Sequence, residues 1–303
     1  MMDVVLTGGT GTVGRALCNV LLEAGYRVCI VTRGKSLKVS EQLAYTNWDY
    51  RKKQIDTRYF PENDFAIIHL AGAPVLDSSW GKNYRQEIIS SRVETLDFLT
   101  DRFKNRVSQI VSASGVNYYF GAEDKQRIFK EDDPANTDFF LGEVCVKWEE
   151  AAFKHQDNIP VSVLRTGTVL SNKGGAFAIF KKLARFGLLM PVGSGKQYVP
   201  WIHERDLAAM YLHALKNKLR GAYNAVADEQ ISHKNLLKKI SSAVGTWTWP
   251  ALTPDFAVKA LLGQRAKLIL NGAQFSNEKI KSSGFQFQYA TAKEAVINLV
   301  ERK

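Results

Sequence analysis

What is scarce in this chain of 303 residues narrows its class before any motif is read. It has three cysteines, Cys18, Cys29 and Cys145, an odd number with no CxxC pair. Disulfide frameworks need paired, closely spaced cysteines, so reduced and packed thiols in a cytoplasmic protein are the expectation. Five histidines, scattered along the chain, form no cluster with ligand spacing, and no metal site is expected. No apolar run approaches the ~20 residues that a helical bilayer span requires, so no membrane partner is expected. The first residues lead straight into an apolar strand, so no signal peptide is expected. Repeats and low-complexity tracts are absent. The net charge is +11, yet no long Lys/Arg run and no nucleic-acid module accompanies it, so nucleic acid is not an expected partner. Such a field would still favour an anionic cofactor.

What is present begins at residues 4–14, VVLTGGTGTVG. Val4, Val5 and Leu6 read as a buried strand. Gly8, Gly11 and Gly14 form a G-x-x-G-x-x-G array, and an apolar stripe at Val13, Ala16, Leu17, Val20, Leu21 and Ala24 follows at helical spacing. Gly25 stands where a helix stops. Glycines let the backbone turn sharply and approach phosphate, and the bare N–H groups and dipole of a helix start favour its negative charge. Strand, glycine turn and helix N-terminus, with a second strand at 27–32, are the parts of a dinucleotide site. Gly8, Thr10, Gly11, Thr12, Val13 and Gly14 are its expected contacts.

The end of the second strand discriminates between dinucleotides. An NAD site carries Asp or Glu there to accept from the ribose 2′-hydroxyl. This chain has Thr32-Arg33-Gly34-Lys35. A carboxylate would repel a 2′-phosphate and a guanidinium would pair with it, so Arg33 points to NADP(H), with Arg15 and Lys35 as helpers.

Residues 47–49 end a short segment that can be a third strand, and Asp49 there is either an adenine contact or an exposed turn residue. Residues 65–70 are near-continuously apolar, as a strand buried on both faces should be. They run into Leu70-Ala71-Gly72, small residues over which a cofactor can lie. Residues 82–103 read as a long helix with Ile89, Val93, Leu96, Leu99 and Phe103 on one face. The strand at 109–113 leads to Ser112, Ser114, Tyr118 and Tyr119, and a helix at 141–155 follows. The strand at 161–165 ends in Thr166-Gly167. This alternation predicts an α/β fold, a Rossmann-type doubly wound parallel sheet over residues 1–170, with 200–227 returning to it. Residues 171–199 and 228–303 are expected to form a smaller, mostly helical C-terminal lobe. Ser232 marks one helix start there, Thr253-Pro254 another, and Thr291 with Glu294 makes a capping box for the last. His203 is a lone histidine, structural or titrating near neutrality.

These motifs resemble the short-chain dehydrogenase/reductase superfamily, in its extended branch of epimerases and dehydratases. The resemblance rests on residues 7–14, Leu70-Ala-Gly72, Ser112-Ala-Ser114 with Tyr118, and Leu164-Arg-Thr-Gly167. More closely, the chain looks like an atypical subgroup of "epimerase family" proteins. The subgroup's marks are Ser91-Arg92-Val93, Phe140-Leu141 with Trp148-Glu149, Gly174-Gly-Ala176, and Gly193-Ser-Gly-Lys-Gln197 before Trp201-Ile-His203, with a C-terminal match at Leu262-Gly263 and Gly284-Phe285. The resemblance covers essentially the whole chain. It implies NADP(H) binding, with Leu70, Ala71, Gly72, Ser112, Thr166 and Gly167 beside the cofactor, and Ser114 in the catalytic serine's place. It also implies a small-molecule substrate bearing a hydroxyl or carbonyl group, a sugar nucleotide being the habitual one. A homodimer through the helices at 82–103 and 141–155 is one option.

One departure stands out. The superfamily's acid/base pair is Tyr-x-x-x-Lys on the helix after the serine strand. Here that stretch reads Phe139-Phe-Leu-Gly-Glu-Val-Cys-Val-Lys147, without tyrosine, and Tyr289-Ala-Thr-Ala-Lys293 lies far away on the final helix. Tyr118 or Tyr119 could supply the missing phenol. Glu143 and Lys147 read as a surface ion pair. Two functions stay open: an NADP(H)-dependent oxidoreductase or epimerase, and a non-catalytic NADP(H)-binding sensor or scaffold.

Overall fold

The computed structural model describes residues 2–119, 127–249 and 251–301. Seven strands are parallel: β1 (Asp3–Thr7), β2 (Arg27–Thr32), β3 (Leu43–Asp49), β4 (Phe65–His69), β5 (Val107–Gly115), β6 (Val161–Thr166) and, after a short pair described below, β9 (Gly221–Ala225). Their order across the sheet is β3-β2-β1-β4-β5-β6-β9. The order reverses at β1, which pairs with β2 on one side and β4 on the other, and that switch point is where doubly wound sheets open a crevice. Two short antiparallel strands, Leu37–Lys38 and Gln54–Ile55, pair with β3.

Helices cover both faces because the inner strands are apolar on both. Helices α1 (Thr12–Glu23) and α5 (Glu204–Lys216) bury Leu17, Leu21, Met210 and Tyr211 against Val4, Leu6 and Ile68. Helices α2 (Lys82–Phe103) and α3 (Phe140–Phe153) bury Leu96, Leu99 and Ala152 against Val5, Ile67 and Ile110. Gly25, at φ +85°, ends α1 while the amides of Gly25 and Tyr26 donate to the carbonyls of Leu22 and Leu21. Phe103 stacks on Phe60 with ring centroids 4.3 Å apart, and Phe98 lies against Trp48, so both aromatics pack on the sheet side.

The α2 surface differs from the single stripe its sequence suggests. Besides Leu96, Leu99 and Phe103 it buries Ser91, Arg92 and Thr95. Those polar positions face the carboxyl ends of β4 and β5, where packing is set by hydrogen bonds rather than by apolar area.

Strands β7 (Thr168–Leu170) and β8 (Trp201–His203) pair beyond the sheet and lead into the second lobe. There α4 (Gly175–Arg185), α6 (His233–Val244) and the closing helix Ala292–Glu301 share a core of Phe177, Leu236, Leu237, Ile240, Val296 and Leu299. Ser232 caps α6 by accepting from the Asn235 amide, and Thr291 and Glu294 exchange the two bonds of a capping box. α7 (Asp255–Leu262) begins one residue later than its sequence suggests, with Pro254 at the cap position and no side-chain cap. Among the described residues, no helix is long and apolar enough to cross a membrane.

Candidate functional site

The glycine turn, the cradle of this site, is a backbone-to-backbone contact that side chains would force apart. Gly8 has φ +68°, and a Cβ built on it would lie 2.7 Å from the Leu70 carbonyl oxygen. A Cβ on Gly14 would lie 2.3 Å from the Gly8 oxygen and 2.6 Å from Gly9 Cα. Helix start and strand end therefore touch through backbone alone. Gly11 occupies the cap position of α1, no side chain caps the helix, and its first turn has no acidic residue. The donors of Thr12, Val13 and Gly14 are left for an anion. α5, by contrast, is capped by His203 and carries Glu204 and Asp206 in its first turn. Thr10 is exposed, and its carbonyl receives Arg15 Nε at 2.7 Å, which draws a cation over the turn.

A buried relay ties this cradle to the neighbouring strand. Thr7 Oγ1 accepts from the amides of Leu70 and Ala71, both at 3.1 Å, and its own proton goes to His69 Nδ1 at 2.9 Å. His69 Nε2 then carries the ring proton and donates to the Arg92 carbonyl at 2.9 Å. Complete burial pushes the His69 pKa down to about 4, consistent with this neutral ring. Leu70, Ala71 and Gly72 so come to lie beside Gly8 at the carboxyl end of β4.

Arg33 is exposed past the end of β2. Asn47 Nδ2 donates to the carbonyls of Arg33 and Gly34 and fixes that turn, and the guanidinium has no partner among the described residues. Asp49 serves its own turn, accepting from the amides of Arg51 and Lys52.

The carboxyl ends of β1, β4, β5 and β6 lie side by side, a line of strand ends termed the trough below, and its far end is built from side chains. Ser114 and Arg165 are register neighbours on β5 and β6. Ser114 Oγ donates to Glu149 Oε1 at 2.7 Å, and Arg165 grips the same carboxylate through Nε at 2.9 Å and Nη2 at 2.8 Å. This pair is buried, with side chains 5% and 6% exposed, and its bidentate geometry offsets the cost of desolvation. Carboxylate and phenol neighbours hold the Arg165 guanidinium above its ordinary range. The Arg165 Cζ also lies 3.6 Å from the Tyr118 ring centroid. Tyr118 is half-buried, and burial raises its phenol above the usual value of 10.0.

The two tyrosines are placed differently from the expectation that either could supply a phenol. Tyr119 is 1% exposed, and its hydroxyl sits between Arg165 Nη1, at 2.5 Å, and Asn224 Oδ1, at 3.0 Å. Its phenol is raised beyond any working pH by burial. It braces β6 against β9 and leaves Tyr118 as the accessible phenol. Ser112 is likewise fully buried, with its hydroxyl turned to the Ala113 carbonyl. Thr166 Oγ1 bonds the Leu164 carbonyl, and the Gly167 amide bonds Ala225. His203 is a cap under the Tyr289 ring, 3.9 Å between centroids, and burial lowers it to about 4. Glu143 and Lys147 pair on the surface at 2.7 Å.

Sequence reasoning assigned no role at this site to Arg165, which is 4% exposed, nor to three further residues. Glu149, Cys145 and Arg92 are all buried, and Cys145 Sγ lies 3.5 Å from the Gly115 carbonyl. The signal was available as spacing: Cys145 and Glu149 share an α3 face at four residues apart, the interval at which a catalytic pair was sought.

Residues 4–226 match the model of the NAD dependent epimerase/dehydratase family, and residues 253–299 match a domain of unknown function, DUF1731. Among curated relatives, the Epimerase family protein SDR39U1 homolog, chloroplastic, of Arabidopsis thaliana is 31% identical over 97% of this chain and 86% of its own length. The human Epimerase family protein SDR39U1 is 31% identical over 95% of this chain and 96% of its own. Among solved structures, human SDR39U1 (isoform2) with NADPH superposes with a TM-score of 0.87 at 29% identity, covering 100% of both chains. UDP-N-acetylglucosamine 4-epimerase from Bacillus cereus, at 19% identity and TM-score 0.77 over 99% of this chain and 96% of its own, shares the fold.

Proposed function

The chain belongs to the NAD-dependent epimerase/dehydratase family, and from that premise we propose that it is an NADP(H)-dependent oxidoreductase or epimerase acting on a hydroxyl- or carbonyl-bearing carbon of a small molecule. The turn fits a dinucleotide pyrophosphate through the uncapped first-turn amides of α1, which no acidic residue faces in that turn. Arg33, exposed and unpaired beyond β2, fits the 2′-phosphate. A relative at 29% identity was solved with NADPH, which supports that cofactor. When bound, it supplies a hydride at the nicotinamide ring.

One observation carries the chemical reading: the Ser114 proton is committed to Glu149. The Cys145 thiol is a hydrogen-bond neighbour of the serine, and the remaining lone pair orients a substrate hydroxyl by accepting from it. Tyr118, with a raised phenol and partial exposure, keeps its proton at neutral pH. It therefore donates to a substrate carbonyl oxygen and is refilled from water. Arg165 stacked on its ring steadies the side chain.

The test is turnover by purified protein of NADPH against a panel of carbonyl compounds, sugar nucleotides among them. Ser114→Ala and Tyr118→Phe should each lower the rate by about 10²–10⁴-fold, the range for a positioned acid/base group. Wild-type rates in both variants would refute the roles. The absence of a tyrosine–lysine pair beside Ser114 favours a second reading, a non-catalytic NADP(H) sensor or scaffold. Tight NADPH binding with no turnover anywhere on the panel would select it.

A further inference from the structure

Two arginines are buried at this site, and only one has a carboxylate. Arg165 presents its side-on fork, Nε and Nη2, to Glu149. Arg92, 9% exposed, uses its other edge: Nη1 and Nη2 both donate to the Ala73 carbonyl, at 3.2 and 3.1 Å, and Nη1 also donates to Ile88 at 2.8 Å. The corresponding side-on fork, Nε–H with the second Nη2–H, has no acceptor among the described residues. An indole face completes the setting, with the guanidinium carbon 4.8 Å from the Trp148 ring.

The position is specific. A Cβ on Gly72 would lie 2.7 Å from Arg92 Cζ, so the guanidinium packs on the backbone that ends β4 beside the cradle. On its other side, across Trp148, stands α3, whose Cys145 and Glu149 line the Ser114 end. A cation largely removed from water without a counter-charge is costly. Desolvation lowers Arg92 to about 10, the mark of that cost. Carbonyls and an indole soften it and do not neutralise it. A planar fork of two parallel donors matches the two oxygens of a phosphate or a carboxylate.

We propose that Arg92 is an oxyanion-binding residue of the trough, taking a phosphate or carboxylate on its side-on fork between Gly72 and the Ser114 end. The oxyanion is either a phosphate on the nicotinamide side of the dinucleotide or an anionic group of the substrate. The inference rests on the reading of the trough as a dinucleotide site, and its arms separate the two sources.

Wild type, Arg92→Lys and Arg92→Met are titrated with NADPH and with 2′,5′-ADP, which fills only the adenosine half. If the fork holds the cofactor, Arg92→Lys weakens NADPH at least tenfold and leaves 2′,5′-ADP within about twofold. If it holds the substrate, NADPH affinity stays level, and inorganic phosphate or acetate perturbs the fluorescence of bound NADPH in wild type and not in Arg92→Lys. Folding is checked by circular dichroism. Where the variants do not fold, a crystal structure of wild type with NADPH and phosphate decides, through an oxyanion oxygen within 3.2 Å of Nε, the ordinary hydrogen-bond reach. Folded variants that match wild type in both arms, or an Arg92 fork turned to water or to a protein carbonyl in that crystal, overturn the proposal. If wild type binds no NADPH at all, the dinucleotide reading fails instead, and phosphate binding to the free protein still tests the fork.

Discussion

The two ends of the trough are made of different material. At the cradle, backbone does the work: Gly8, Gly11 and Gly14 contribute by what they lack, and the donors at the helix start are uncapped main-chain amides. At the Ser114 end, side chains from β5, β6, α3 and β9 hold one another in a closed network of Ser114, Glu149, Arg165, Tyr119 and Asn224. A backbone site can keep its ligand while the rest of the protein changes. A side-chain network must change together, and here it has settled on a buried ion pair with no tyrosine–lysine pair on α3. Conserving the first while rewiring the second is how one fold comes to serve another substrate.

Acid should affect the two ends unequally, and this is the largest effect expected. His69 under the cradle, with His203 and His233 in the second lobe, are each lowered by burial to about 4 from an ordinary 6.5, and none belongs to the Ser114 network. The unfolded chain binds these protons below pH 6.5 and the folded chain resists them until about 4, so stability is full above 6.5 and is lost as pH falls through that window. Between pH 6.5 and 5, where carboxylates stay mostly ionised, each histidine contributes about 1.5 kcal/mol. Urea midpoints should fall steadily over that interval. A flat profile would mean the rings are already protonated when folded, and that the relay through Thr7 is drawn wrongly.

Glu149→Gln attacks the other end. It leaves the Arg165 guanidinium buried without its counter-charge, which should cost about 3 kcal/mol of stability. The amide keeps one acceptor oxygen where the carboxylate had two, so Ser114 and the Arg165 fork compete for it, and turnover should collapse while NADPH affinity changes little. A large loss of NADPH affinity would show that the two ends are one unit. Glu149→Gln at wild-type stability would show that the pair is solvated.

How far the sequence could be read follows the same division. The glycine turn, the parallel doubly wound sheet and the long helices were legible, because glycine spacing and apolar periodicity are local and backbone structure is set locally. The return of β9 beside β6 could be anticipated because the alternation of strand and helix resumes there. What escaped was the network. Glu149 looks like any helix glutamate until Arg165 and Ser114 are brought to it from 16 and 35 residues away. Tyr118 and Tyr119 are adjacent in sequence and opposite in role, since the turn that carries them sends one ring to the trough and the other into the core. Arg92 was visible only as a family mark, and its burial contradicts the rule that arginines on a helix face solvent.

Gly14→Ala tests whether the cradle is as rigid as its distances imply. The new methyl would meet the Gly8 oxygen at 2.3 Å, and both partners are backbone, so neither can give way by rotating. Overpacking of this kind costs about 1–3 kcal/mol, and NADPH affinity should fall about 100-fold as α1 is levered from β1. Turnover per bound cofactor should stay within a few-fold if the ends are independent. Affinity within threefold of wild type would mean that the turn relaxes and that close approach is not what binds phosphate.

The smallest expected effect concerns the choice between two nearly identical cofactors. Arg33 is exposed, so whatever it contributes is screened by water and salt. Its carbonyl and that of Gly34 are held by Asn47, which presents the guanidinium without ordering it in advance. Arg33→Met should therefore leave NADH affinity unchanged and weaken NADPH about tenfold, equivalent to ~1.4 kcal/mol. The wild-type preference should also shrink as salt is raised, since an exposed charge pair weakens within a Debye length. Salt-independent preference that survives the substitution would place the 2′-phosphate elsewhere, with Arg15 the next cation along the turn. It would then be a backbone-anchored charge, bonded through Nε to the Thr10 carbonyl, that reads the cofactor, and the cradle end would owe even its selectivity to main chain.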